Sequence, residues 1–248
     1  MYKVLICGAG GRMGKEVACS MQNFPDLKPI CGFDREENLT DSFPIYSDTS
    51  KISENPDVII DFSHVSMTLE ILKYAKDKNI PIVIATTGFN EEQESMIKEY
   101  SKFIPVFKSA NMSFDINLMA KIVSQLAPLL SSSDIEIIET HHRNKVDAPS
   151  GTALMLANSI NESLENKMTY VFDRHEKSSK RSDNEIGFSS IRGGNIVGEH
   201  TVQFIGPSET FEIKHTSYSR TVFAEGALKA ALFLVNKPIG LYSMNDMM

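Results

Sequence analysis

The chain has 248 residues, with 25 lysines and arginines against 32 acidic residues, a formal charge of −7, and 42% hydrophobic and 23% charged residues. That balance is ordinary for a globular protein and excludes disorder, collagen and coiled coil as readings. The acidic excess argues against a nucleic-acid partner, which needs clustered cations, and no run of about 18 apolar residues is present to suggest a membrane span.

The first half alternates strand-like and helix-like patterns. Val4-Leu5-Ile6-Cys7 opens the chain as an apolar run too short for a secretory leader, so a cytoplasmic location is expected. Residues 2–7 read as a strand, 13–21 as a helix and 28–33 as the next strand. Cys7, Cys19 and Cys31 would then fall one on each, as reduced packing residues in no metal spacing. Val58-Ile59-Ile60-Asp61 is a bare apolar strand, the kind that helices cover on both faces. A helix over 66–78 with Ser66 as its cap, a strand over 81–85, a helix over 91–100 and a strand over 106–109 continue the rhythm. Such alternation favours a parallel sheet built from right-handed crossovers.

After about residue 112 the pattern changes. A long helix is expected over 114–130 and a strand over 135–140. A helix over 152–164 carries Ala153, Leu156, Ala157, Ile160 and Leu164 on one stripe. Strands over 186–192, 196–205 and 210–218 are separated by Gly193-Gly194 and Pro207-Ser208, which suggests an antiparallel meander. The charged, serine-rich stretch 173–184 reads as a mobile loop, and 223–235 as a last helix. The expected class is α/β: a Rossmann-like, doubly wound parallel sheet followed by an α+β domain with a mostly antiparallel sheet.

Gly8-Ala9-Gly10-Gly11-Arg12-Met13-Gly14 sits between the first strand and the first helix, where a dinucleotide fingerprint belongs. Glycine there allows a tight turn and lets a pyrophosphate approach amides at a positive helix end. The spacing is Gly8-x-x-Gly11-x-x-Gly14, with Met13 at the strict pattern's third glycine, so a glycine turn serving another ligand stays open. Asp34 ends the second strand, where a carboxylate can accept from adenine-ribose hydroxyls. Arg35 beside it could meet a 2′-phosphate, so NADH and NADPH both suit the pair. The alternative for both is a solvated surface turn. Ala85-Thr86-Thr87-Gly88 and Ser109-Ala110-Asn111-Met112 follow later strands, at the ends that face the ligand crevice of such a sheet. Their small, hydroxyl and amide groups suit a nicotinamide riboside. His64, at another strand end, reads as a wall residue.

The densest polar cluster runs from Glu139 to Ala153, between an apolar strand and a helix start. In it, His141 is the type of side chain suited to proton transfer near neutrality. Lys145 could serve as an electrostatic anchor or, if desolvated, a proton donor. Pro149-Ser150-Gly151-Thr152 offers amides and hydroxyls at a helix N-terminus, a seat for a carboxylate. A plain polar loop with a serine cap is the competing reading. Zinc is disfavoured, because His141 and His142 are adjacent on a strand and point to opposite faces, and no third ligand stands at a standard spacing. No metal is expected.

The whole stretch Glu139-Thr-His-His-Arg-Asn-Lys-Val-Asp-Ala-Pro-Ser-Gly-Thr-Ala153 resembles the signature of the 4-hydroxy-tetrahydrodipicolinate (dihydrodipicolinate) reductase family, of lysine and diaminopimelate biosynthesis. The glycine loop, Asp61-Phe62-Ser63, Ala85 to Gly88, Ser109 to Asn111, Phe223 to Leu228 and Gly240 to Met244 extend the resemblance along the chain. It implies NAD(P)H-dependent reduction of a small cyclic dicarboxylate, with hydride delivered to C4 while the 4-hydroxyl leaves as water. By it, His141 is the proton donor/acceptor and Lys145 a second proton donor. His142, Gly151 and Thr152 would bind the dicarboxylate, with Ser150 beside them. Gly8, Ala9, Gly10, Gly11, Arg12, Met13, Asp34, Arg35, Ala85, Thr86, Thr87, Ser109, Ala110, Asn111 and Met112 would contact the nucleotide. Asp34 stands where some relatives carry Glu and Met112 where Phe is common; both bear on cofactor preference. The resemblance further implies a nucleotide domain of 1–112 plus 220–248, a substrate and oligomerisation domain of 113–219, and a homotetramer joined through the second domains' sheets; a site split between two domains would need closure, with hinges expected near Ser113 and Ser219. The rival classes are a dinucleotide-binding sensor without chemistry, which has no need of His141, Lys145 and the Ser-Gly-Thr seat together, and a reductase for another small carboxylate.

Overall fold

Val4, Leu5, Ile6 and Cys7 are all buried, because β1 (Tyr2–Cys7) runs through the middle of a sheet covered on both faces. This computed structural model describes residues 1–39, 42–175 and 179–248. In chain order β1 is followed by α1 (Arg12–Ser20), β2 (Leu27–Phe33), β3 (Asn38–Leu39), β4 (Pro44–Tyr46), β5 (Val58–Asp61), α2 (Val65–Lys78), β6 (Ile82–Ile84), α3 (Glu91–Tyr100), β7 (Pro105–Lys108) and α4 (Phe114–Leu126). Then come β8 (Asp134–His141), α5 (Gly151–Ser163), β9 (Thr169–Val171), β10 (Glu185–Arg192), β11 (Gly198–Ile205), β12 (Thr210–Ser217), α6 (Thr221–Leu234) and β13 (Gly240–Tyr242). The chain forms two compact units, residues 1–114 with 220–248, and residues 115–219.

The first unit holds a sheet in the order β13-β7-β6-β5-β1-β2-β4-β3, parallel throughout except for the β3–β4 pair. Side chains alternate across it with the strand period of two. Val4, Ile6, Val58, Ile60, Val83 and Phe107 meet α1 and α6, where Val17, Ala227, Leu228 and Ala231 are buried. Leu5, Cys7, Ile59, Ile82, Ile84 and Val106 meet α2 and α3 through Ile71, Leu72, Ala75 and Ile97. The chain turns from β1 to β2 on one side and to β5 on the other. The carboxyl ends of β1 and β5 therefore flank a topological switch point, the crevice where open parallel sheets hold ligands.

In the second unit the order is β12-β11-β8-β10-β9. The expected meander is not what forms. β10 lies parallel to β8 and to β9, while β11 pairs antiparallel with β8 and β12, so β8 separates β10 from β11. The sheet is mixed, and Gly193-Gly194 is no hairpin turn. Its backbone meets the end of β8 instead: Gly193 N donates to His141 O at 3.0 Å and Arg143 N to Gly194 O at 3.2 Å. Pro207-Ser208 does lie in a hairpin, between the paired β11 and β12. α4 and α5 cover one face of this sheet around Ile135, Ile137, Val202 and Phe204. On the other face, Ile138 stands in register with Ser189 and Thr201, and Thr140 with Ile191, which is 51% exposed.

Other departures are local. α4 stops at Leu126, ahead of Pro128, whose ring disfavours helical geometry at the residue before it. His64, not Ser66, caps α2: its Nδ1 accepts from Ser66 N at 3.2 Å. The segment 173–184 lies partly outside the described residues; within it Arg174 pairs with Glu136 and Glu185, and Arg181 with Asp134 and Glu136. Among the described residues no helix is long and apolar enough to cross a membrane.

Candidate active site

At the end of β1 the chain turns through Gly8, whose φ of +76° suits glycine, and a Cβ there would stand 2.6 Å from the Phe62 carbonyl oxygen. A Cβ on Gly14 would stand 2.2 Å from the Gly8 oxygen, so the first turn of α1 lies directly against the loop. Gly11 caps α1 with no side-chain hydrogen bond, which leaves the first amides of the helix without a side-chain acceptor at its positive end. Asp34 is locked beside them: Oδ2 accepts from Gly10 N at 2.8 Å and Oδ1 from Arg35 N at 2.7 Å.

A cavity of about 500 Å³ is lined by Gly8, Ala9, Gly10, Gly11, Asp34 and Arg35, together with Lys15. A second, of about 490 Å³, is lined by Met13, Ala85, Thr86, Thr87, Ala110, Asn111 and Met112. Phe62, Ser63 and His64 border both. The expected nucleotide contacts are thus gathered along one crevice, with two exceptions. Ser109 turns its hydroxyl to Asn111 O at 2.7 Å and shapes the loop from behind, and Arg12 is exposed at the start of α1. The bare helix end suits a pyrophosphate, the Asp34 carboxylate a ribose, and the neutral second cavity a nicotinamide; these residues fit a pyridine dinucleotide.

Asp61 supports the wall between the two cavities. Its buried carboxylate accepts from Ser63 N and Thr68 Oγ1, both at 2.9 Å, and fixes the turn that carries Phe62 to His64. Burial pushes this carboxyl up, and the hydrogen bonds from Ser63 and Thr68 pull against it.

In the second unit, the alternation along β8 that buries Ile135 and Ile137 also buries Glu139 and His141, on the covered face. A buried charge must be paired. Glu139 Oε2 and His141 Nδ1 are 2.5 Å apart. Arg192 grips the same carboxylate with both terminal nitrogens, at 2.8 Å to Oε2 and 2.7 Å to Oε1. Ser150 N reaches Oε1 at 3.2 Å. Arg192 also donates to Asp147 O at 2.7 Å, which ties the loop after β8 to β10. His200 lies opposite Glu139 in the β8–β11 register, sets its ring edge-on to His141 at 5.1 Å and meets Ser150 Oγ through Nε2 at 2.8 Å.

The electrostatics follow from this packing. Burial raises the Glu139 carboxyl, but hydrogen bonds from Arg192, Ser190 and His141 outweigh it and hold the pKa at about 2. His141 is lowered by burial and pulled back up by Glu139. His200, lowered by burial and by His141 to about 3, is neutral at physiological pH.

The remaining expected residues surround this pair. Lys145 N closes a turn onto His142 O at 3.1 Å, and the Lys145 ammonium pairs with Asp147 at 2.9 Å. His142 is half-buried. Gly151 and Thr152 form the first turn of α5, with Gly151 exposed. Ser150 is different: it is 1% exposed, and its hydroxyl is committed to His200 and, as the helix cap, to Ala153 N at 3.1 Å. Sequence reasoning gave no role to Glu139, Arg192 or His200. Glu139 had a usable signal, since it falls in the apolar row of an alternating strand. The other two are remote in sequence and carried none. Among the described residues no three His, Cys, Asp or Glu side chains gather as metal ligands.

Comparisons with known proteins agree over the whole chain. Residues 2–112 match the family model "Dihydrodipicolinate reductase, N-terminus" and residues 115–248 its "C-terminus". The 4-hydroxy-tetrahydrodipicolinate reductase of Caldanaerobacter subterraneus subsp. tengcongensis is 47% identical over 247 residues, 100% of this chain and 98% of the relative. That of Clostridium novyi is 47% identical over 248 residues, 99% and 98% of the two chains. Among solved structures, a dipicolinate-bound dihydrodipicolinate reductase from Paenisporosarcina sp. TG-14 superposes with a TM-score of 0.82 at 25% identity, covering 100% of both chains.

Proposed function

The chain belongs to the dihydrodipicolinate reductase family, and from that premise we propose that it reduces 4-hydroxy-tetrahydrodipicolinate to tetrahydrodipicolinate, with NAD(P)H as reductant, in lysine and diaminopimelate biosynthesis. One hydride and one proton are consumed, and the 4-hydroxyl leaves as water. The observation that carries this reading is the buried Glu139–His141 pair beside the N-terminus of α5. A nucleotide sensor has no use for a desolvated imidazole held on a carboxylate.

A bound pyridine nucleotide supplies the hydride to C4. The first unit, 1–112 plus 220–248 in this reading, holds it through Gly8 to Met13 at the pyrophosphate and through Asp34 at the adenine ribose. Arg35, lining the same cavity, offers a fork to a 2′-phosphate, so both NADH and NADPH are accepted. The unit of 113–219 binds the cyclic dicarboxylate. The positive end of α5, at Gly151 and Thr152, takes a carboxylate, with His142 alongside. His141 donates the proton and Lys145 serves as a second donor. Each has a carboxylate partner, Glu139 and Asp147, that keeps it in place. The enzyme is cytoplasmic. The sheet face bearing Ile138, Thr201 and Ile191 joins second units into a homotetramer, since an uncovered sheet face with apolar residues favours a partner.

The test is oxidation of NADH and NADPH by the purified protein with freshly generated substrate, beside His141→Gln. Wild type turns over, and the variant loses roughly 10²–10⁴-fold in kcat, the usual contribution of a positioned general acid, with nucleotide affinity unchanged. A wild-type protein that binds nucleotide and never oxidises it with this substrate overturns the reading.

A further inference from the structure

We propose that Glu139, clamped by Arg192, is a positioning residue: it fixes the His141 ring with Nδ1–H toward the carboxylate and leaves Nε2, on the ring edge facing Gly198, as the nitrogen that exchanges the proton. The inference rests on the assignment of His141 as proton donor and adds which nitrogen acts and what holds it.

The carboxylate has no freedom to do otherwise. It offers about four acceptor positions, and its contacts leave none open: His141 Nδ1 and Arg192 Nη1 on Oε2, Arg192 Nη2 and Ser150 N on Oε1, with a further hydrogen bond from Ser190. The bidentate guanidinium makes Glu139 an acceptor only, so Nδ1 must be the donor. A ring whose Nδ1–H is fixed in this way presents Nε2 as its basic nitrogen, the logic by which a carboxylate sets a histidine tautomer in acid–base sites.

Gly198 marks where Nε2 points. A Cβ built on Gly198 would meet three atoms of the His141 ring, Nε2 nearest at 3.0 Å. Gly198 is not among the residues with positive φ, so the backbone itself makes no demand for glycine there. The demand comes from the imidazole: any larger side chain would press on the edge that carries Nε2.

The charges around the ring come from four directions. Glu139 acts from β8 itself, Arg192 from β10, Lys145 from the following loop and His200 from β11. Glu139 alone favours the imidazolium. Arg192 and Lys145 oppose it, and His200 is neutral in the working range. Removing the Glu139 charge therefore lowers the pH at which His141 loses its proton.

The experiment is the pH dependence of kcat/KM for wild type, Glu139→Gln, Gly198→Ala and His141→Gln, with nucleotide Kd and Tm measured for each. Glu139→Gln should lose roughly 100-fold in kcat, a share of what a general acid contributes. Its high-pH limb should move down by about one unit, the size of effect one adjacent charge exerts. Gly198→Ala leaves Glu139 intact and should lose about tenfold in kcat at unchanged Tm, Kd and limb position. A Glu139→Gln protein that loses only Tm, its limb unmoved, makes the residue purely structural. Should that variant not fold, Gly198→Ala decides: wild-type kcat there removes Nε2 from the role. Either result with an inactive His141→Gln overturns this inference alone, whereas a fully active His141→Gln overturns the functional reading beneath it.

Discussion

Gly226 of α6 lies against the backbone of Met112, so closely that a Cβ at residue 226 would stand 1.7 Å from the Met112 carbonyl oxygen. Because Met112 lines the cavity assigned to the nicotinamide, the last helix of the chain is a wall support for that cavity. Gly226→Ala sets two effects against each other. Helix propensity favours alanine by about 1 kcal/mol, while overpacking against backbone costs about 1–3 kcal/mol. A backbone oxygen cannot swing aside as a side chain can, so the clash wins. The variant should melt several degrees lower and bind nucleotide more weakly. An unchanged Tm would show that the loop from Ser109 to Met112 yields freely.

Cofactor choice is tested at Asp34. Its Oδ2 accepts from Gly10 N at 2.8 Å, and the proposed reading gives the carboxylate the ribose hydroxyls. On the proposed assignment, Asp34→Ala removes an acceptor for the adenine ribose of NADH, while Arg35 would still meet the 2′-phosphate of NADPH. A hydrogen bond to a charged group contributes roughly 1.5–3 kcal/mol, so the NADH/NADPH ratio of kcat/KM should fall about tenfold or more. Arg35→Ala should move the ratio the other way. Equal losses for both cofactors would mean that Asp34 only shapes the loop.

Lys145 is held at 2.9 Å from Asp147, on the loop between β8 and α5. On the proposed assignment, Lys145→Ala removes a proton donor and a cation that would face a dianionic substrate. It should therefore lower kcat and raise KM for the dicarboxylate, roughly tenfold each or more, with nucleotide Kd unchanged. Wild-type kinetics would take Lys145 out of the reaction.

The parts legible in the sequence are those with a local cause. β1 and β5 show themselves as apolar runs, and the glycine loop falls where a strand meets a helix. Alternation reports the face a residue takes, but it says nothing of a strand's neighbours. That is why residues 186–205 read as a hairpin, although β8 lies between β10 and β11. The same limit hid the core of the site. Glu139 looks like the start of a polar loop until Arg192, 53 residues away, arrives through β10 to pair with it. Ser150 shows the same limit: at a helix start it reads as a ligand contact, and the sequence gives no sign of His200, 50 residues on, which meets its hydroxyl at 2.8 Å.

That pairing leaves a signature in acid. Glu139 has its pKa lowered from 4.5 to about 2 in the folded protein. A depressed carboxyl contributes stability that is complete above the unfolded pKa and is lost as pH falls toward the folded one, because the unfolded chain binds the proton first. The window runs from about 4.5 down to about 2. At about 1.4 kcal/mol per unit the loss is about 3 kcal/mol at most. Asp61, raised by burial, works with the opposite sign and regains stability as it takes up its proton. Arg192→Ala isolates the Glu139 contribution. Without the guanidinium the carboxyl titrates nearer its ordinary value, so the variant is less stable at pH 7 and loses less on acidification. Urea midpoints for wild type and variant at neutral pH and near pH 3 should therefore converge. Parallel acid losses in the two proteins would show that Glu139 owes its low pKa to something other than Arg192.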